Sequence, residues 1–97
     1  MSSYVLLGSY TDQGIKNIKE APKRRAAAKE LAKKFGVDIK SAQLAMGAFD
    51  LIIQADAASD EDIAKFVLSL ASRGNLRTTT IKVFAEADFD RITSAVA

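Results

Sequence analysis

Ninety-seven residues is the length of one domain, and residues 1–97 read as a single unit. Hydrophobic residues make up 48% and charged residues 27%, the profile of a folded chain rather than a disordered one. The 14 Lys and Arg against 12 Asp and Glu leave only +2, too little to argue for nucleic acid or an anionic membrane, and the absence of His and Cys removes disulfides, thiol nucleophiles and the commonest metal ligand and general base.

Residues 4–10 are apolar and β-rich and predict a first strand. Thr11 or Asp12 caps a short helix that carries Ile15 and Ile18. Pro22 resists helical geometry at the residue before it, which predicts a break near Glu20 and Ala21. A longer helix then starts with Pro22 in its first turn, carries Ala26, Leu31, Ala32 and Phe35, and stops at Gly36. Residues 37–46 and 48–55 predict strands two and three, with Gly47 as the hairpin glycine. Ser59 followed by Asp60, Glu61 and Asp62 starts a helix, because a hydroxyl cap and acids suit its positive end. Ile63, Phe66, Val67, Leu70 and Ala71 repeat at helical spacing and make it the clearest amphipathic helix of the chain. Strand four is predicted over residues 76–84, and a final helix over residues 88–96 with Phe89, Ile92 and Val96 on one side.

The order is the ferredoxin-like βαββαβ plan, an α+β fold with an antiparallel sheet and one extra C-terminal helix. Strands one and three fall in its middle, with both crossover helices on one face. A sheet with water on its other face should alternate apolar and polar. The central strands do not: Val5 and Leu7 oppose Tyr4 and Leu6, and Ile52 opposes Leu51 and Ile53. The second apolar face predicts a homodimer placed sheet to sheet, unless the final helix folds back to cover it.

The opening residues show no basic n-region and no long apolar run, and no stretch nears the roughly 20 apolar residues of a membrane span, so no membrane association and a cytoplasmic location are expected. The basic residues of the first helical region, Lys16 to Lys34, are interrupted by Glu20 and Glu30 and fit a solvated face. RNA-recognition modules share the strand order but need a basic, aromatic-rich motif, and the Gly47–Ile52 stretch offers one aromatic and an acid. No nucleic-acid partner is expected.

Asp50 is the one candidate catalytic residue. A carboxylate among apolar neighbours in an enclosed space has a raised pKa and can act as a base. The alternative is that it bonds backbone N–H groups or Arg77 and fixes the turn. Tyr10, Gln43, Gln54 and Thr78 are the candidate ligand-binding residues, able to supply a few hydrogen bonds inside an apolar pocket. Ordinary strand packing is the competing reading for Thr78 and Tyr10. No metal site and no cofactor are predicted; haem lacks a His or Cys axial ligand here.

Several stretches together resemble the GYD domain family: Tyr4-Val5-Leu6-Leu7-Gly8-Ser9-Tyr10-Thr11, Gly14-Ile15-Lys16-Asn17-Ile18-Lys19, Ala21-Pro22-Lys23-Arg24, and Gly74-Asn75-Leu76-Arg77-Thr78 with Phe84. Met46-Gly47-Ala48-Phe49-Asp50 occupies the place of the family's Gly-x-Tyr-Asp signature. The resemblance spans essentially the whole chain and implies a dimeric α/β barrel, two ferredoxin-like protomers joined sheet to sheet. It departs where Phe49 replaces the signature tyrosine, where Ser41-Ala42-Gln43-Leu44 lacks aromatics, and where Ala57-Ala58 lacks a proline. Two functions are therefore expected from sequence. One is a homodimer that binds a small apolar molecule between its sheets or acts structurally. The other is a cofactor-free oxygenase or isomerase with Asp50 as general base.

Overall fold

Local signals place most elements where the sequence predicts them. The computed structural model describes residues 1–97. Strand β1 (Ser2–Tyr10) leads to α1 (Asp12–Lys16), where the Thr11 hydroxyl accepts from the Gly14 N–H at 3.1 Å. A 3-10 turn (Ile18–Glu20) marks the expected break, and α2 (Ala21–Lys34) begins with Pro22 in its first turn. Gly36, with φ +69°, closes α2 in the left-handed conformation. Strands β2 (Asp38–Leu44) and β3 (Leu51–Ala57) precede α3 (Asp60–Ala71), whose cap Ser59 accepts from the Asp62 N–H at 3.2 Å. Then come β4 (Leu76–Val83) and α4 (Glu86–Ser94).

The sheet order is β2-β3-β1-β4 with every pairing antiparallel. Strands one and three lie in the centre, as the topology requires. The core forms on one face of them. Tyr4 and Leu6 of β1 and Ile53, Ala55 and Ala57 of β3 meet Leu31 and Ala32 of α2 and Ile63 and Phe66 of α3. Phe66 and Leu6 are fully buried. Burying a side chain of the size of Phe66 contributes about 1.5–3 kcal/mol, so the amphipathic stripe of α3 is what seats that helix.

One connection differs from expectation. Strand β2 ends at Leu44 and β3 begins at Leu51, so the link is a loop over residues 45–50 rather than a tight turn at Gly47. Asp50 is the physical reason. Its N–H donates to the Gly8 carbonyl at 2.8 Å, as a ladder residue would, but its side chain accepts the Tyr10 N–H at 2.9 Å. A short carboxylate that bonds nearby backbone ends a strand rather than extending it. The Asp50 carbonyl accepts the Ala45 N–H at 2.8 Å and shuts the loop.

At its other end the first helical region is fastened to the turn before β4. The Thr11 N–H donates to the Asn75 carbonyl at 3.1 Å, and Gln13 Nε2 donates to Asn75 Oδ1 at 2.9 Å. A Cβ on Gly14 would sit 2.1 Å from the Asn75 carbonyl oxygen, so only glycine permits this approach.

The N-terminus of α3 is tied to the sheet by charge. The Tyr4 hydroxyl donates to Asp60 Oδ1, and Lys82 Nζ lies 3.1 Å from the same carboxylate. The Tyr4 bond, then Lys82, hold the Asp60 carboxyl below its ordinary value of 3.8. Burial, then the Asp60 bond, push the Tyr4 hydroxyl above 10.0. The two signs differ. Asp60 contributes stability above its ordinary value and loses it as pH falls through the lower folded one. Tyr4 contributes below its ordinary value and loses it as pH rises toward the higher folded one.

The last helix is different in kind. None of its residues is buried, and Phe89 is 62% exposed. It does not fold back over the sheet.

Two outcomes are expected. The stability advantage of the wild type over Tyr4→Phe, read from melting temperatures, stays level between about pH 5 and pH 9 and shrinks at both extremes; a difference independent of pH contradicts the Tyr4–Asp60 link. Asp50→Ala leaves the Tyr10 N–H without its acceptor and lowers stability by about 1–2 kcal/mol at an unchanged urea m-value; an unchanged urea midpoint contradicts the strand-ending role.

Candidate functional site

The register divides the sequence-predicted site between two faces. Tyr10 pairs with Leu76 and Thr78 with buried Gly8, which puts both on the side of the helices. Gln54 lies opposite Val5, and Gln43 opposite Ile52, on the uncovered side. The four residues therefore do not converge on one ligand. Asp50 sits at the end of the sheet and spends one carboxylate oxygen on the Tyr10 N–H. The Thr78 hydroxyl oxygen is buried without a hydrogen-bond partner.

The uncovered face has a definite pattern. One cross-strand row carries Ser41, Gln54, Val5 and Ile81; the next carries Gln43, Ile52, Leu7 and Thr79. A third ends the face with Asp38, Asp56, Ser3 and Val83. The centre is thus apolar: Val5, Leu7 and Ile52 on the two middle strands, extended by Ile81. Its rim is polar. The Ser3 hydroxyl donates to Asp56 at 2.8 Å, and Lys40 pairs with Asp38 at 2.8 Å. The Asp38 bond raises the Lys40 pKa. Lys40 is there because the β2–β3 register shifts between Ile39 and Ser41, a bulge at the sheet edge.

The concave site is on the opposite side. A cleft of about 190 Å³ opens between α2, α3 and the sheet, lined by Tyr10, Ile39, Leu51, Ile53, Phe66 and Leu70 among others. Its roof is α2, which presents Ala21, Ala27 and Ala28 there. The helix fills its own footprint only from Leu31 onward. Sequence reasoning missed this cleft. Its only trace in the sequence is the small side chains at Ala21, Ala27 and Ala28, which line it. No group of three or more Asp and Glu side chains comes together to hold a metal ion, and no helix is long and apolar enough to cross a membrane.

The comparisons with known proteins agree with this geometry at the level of fold. The chain is similar to the "glutamine synthetase and cystathionine beta-lyase binding protein" of Thermus thermophilus, 29% identical over 89 residues that cover 91% of this chain and 94% of that protein. Among solved structures it is similar to FFRP-DM1, with TM-score 0.61 and 17% identity over 87% of this chain and 100% of that one. It is also similar to the hypothetical protein PHS023 of Pyrococcus horikoshii, with TM-score 0.55 and 19% identity over 89% and 93%. The C-terminal domain of the MgtC protein of Mycobacterium tuberculosis aligns with TM-score 0.56 and 10% identity over 86% and 88%. These identities carry the ferredoxin-like fold alone. The GYD domain matches residues 4–93, nearly the whole chain, and this protein belongs to the GYD domain family.

Proposed function

We propose that this protein is a non-catalytic protein-binding module that works as a homodimer. The observation that carries the proposal is a surplus of exposed surface together with apolar side chains that no element of the chain covers. The chain exposes 6573 Å², whereas a compact monomer of its 10.4 kDa mass exposes about 5,400 Å². The surplus, about 1,200 Å², exceeds the roughly 800 Å² that each partner contributes to a standard interface. Two apolar surfaces lie outside the core: the uncovered sheet face, where Val5, Leu7 and Ile52 are half-buried and Ile81 is exposed, and α4, where Phe89 and Ile92 are exposed.

The two surfaces have different roles. The sheet face is flat, apolar at its centre and polar at its rim, which suits an isologous contact with a second copy. In such a pairing Val5, Leu7, Ile52 and Ile81 of both protomers face one another between the sheets, where a small apolar ligand is expected from sequence. Helix α4 leaves its apolar side chains exposed and reads chemically as a docking helix. Phe89 and Ile92 lie one turn apart on α4, the i, i+3 spacing of anchors that enter a partner's apolar groove, and Val96 follows just past the helix end. Their exposures are 62%, 37% and 69%. The Thermus relative is named for binding two enzymes, so glutamine synthetase and cystathionine β-lyase are the first partners to test. The rival reading, an oxygenase or isomerase with Asp50 as general base, has weaker support, because the Asp50 carboxylate is engaged by backbone at a strand end.

The test is a calorimetric titration of each enzyme from the same source. The wild type is expected to bind at least one of them. Phe89→Asp, exposed and away from the core, is expected to weaken that binding at least about tenfold without changing the melting temperature. Absence of binding to both enzymes contradicts the partner assignment, and undiminished binding by Phe89→Asp contradicts the role of α4.

A further inference from the structure

We infer that the cleft beneath α2 is a binding site for a small, freely dissolved amphipathic carboxylate. The cleft is separate from the surfaces assigned above, since it lies on the helix side of the sheet. Three observations lead to it.

The first is shape. An engineered apolar cavity of about 150 Å³ takes up benzene, and this cleft, at about 190 Å³, has room for a single ring or a short aliphatic chain. Its floor is apolar throughout: Ile39, Leu51, Ile53, Phe66 and Leu70. The second is the sign of its charge. Arg24, Arg25, Lys29 and Arg73 line it, and no Asp or Glu does. In a chain with a net charge of only +2, an opening lined by four cations and no acid selects for an anion. None of the four forms a salt bridge within the protein. Arg24 donates to the Asn17 carbonyl at 2.7 Å and the Gly14 carbonyl at 3.1 Å, so it shapes the opening; Arg25 and Lys29, one turn apart on α2, remain for the ligand.

The third is the way the space arises. Alanines on the first turns of α2 leave it open, while the rest of that helix packs tightly through Leu31 and Ala32. A leucine at position 28 would close it. An apolar floor beneath a cationic opening is complementary to a molecule with an apolar body and one carboxylate, and this pairing of features is how small-ligand sites fix orientation.

The experiment uses octanoate as the probe, with 1-octanol and octylammonium as matched controls, in calorimetric titrations of the whole protein. Octanoate is expected to bind at least about tenfold more tightly than octanol, and octylammonium not at all. Ala28→Leu is expected to abolish octanoate binding while the melting temperature holds or rises. Arg25→Gln with Lys29→Gln, both exposed, is expected to reduce octanoate to the affinity of octanol. Equal affinities for the three probes, no binding of octanoate, or unchanged binding by the Ala28→Leu or the double variant would each overturn the inference. So would association with anionic phospholipid vesicles that octanoate fails to displace. None of these outcomes bears on the sheet face or α4.

Discussion

The central strands carry apolar side chains on both sides, and the chain has helices for only one. That imbalance governs the rest of the molecule. Tyr4, Leu6, Ile53 and Ala55 are satisfied by α2 and α3 within the protomer. Val5, Leu7 and Ile52 have no such cover. The hydrophobic effect favours removing them from water at about 25 cal/mol per Å², and nothing in the same chain does so. The C-terminal helix is the one element free to try, and its exposed Phe89 places it away from the face. The proposed homodimer would supply that cover from a second chain.

The two faces also sort the possible functions. The inferred small-molecule site is on the concave side, where α2 leaves a gap over Ile39 and Ile53 and cations line the cleft. The proposed macromolecular contacts are on the other side of the sheet and on α4. The sequence expectation had joined these, seeking a ligand between the paired sheets with Gln43 and Gln54 beside Tyr10 and Thr78. The register separates them, since side chains one residue apart on a strand point to opposite faces. Fastening the first helical region to the Gly74-Asn75 turn, through Thr11, Gly14 and Gln13, holds the mouth of the cleft at a fixed distance from the sheet.

Much of the fold was legible in the residues. The Ser59 cap and the stripe from Ile63 to Leu70 fixed α3, and Pro22 marked the break before α2, because capping and proline sterics act within a few residues. The family resemblance, carried by Gly14, Gly74 and Asn75 among others, corresponds to a real contact between distant parts of the chain. The β2–β3 loop was misread because Gly47 looks like a tight-turn residue, whereas the ladder is ended by Asp50 reaching Tyr10 across 40 positions of sequence. That contact has no local signature. The cleft was equally hidden: alanines are good helix formers, and nothing near Ala28 in sequence reveals how long the opposing strand side chains are.

Sedimentation equilibrium of the purified protein tests the central claim most directly. If a second copy covers the sheet face, the wild type sediments at twice its 10.4 kDa mass, and Leu7→Lys, which puts a charge at the centre of that face, sediments as a folded monomer. A wild type that stays monomeric at all concentrations, or a Leu7→Lys variant that remains a dimer, would contradict the account.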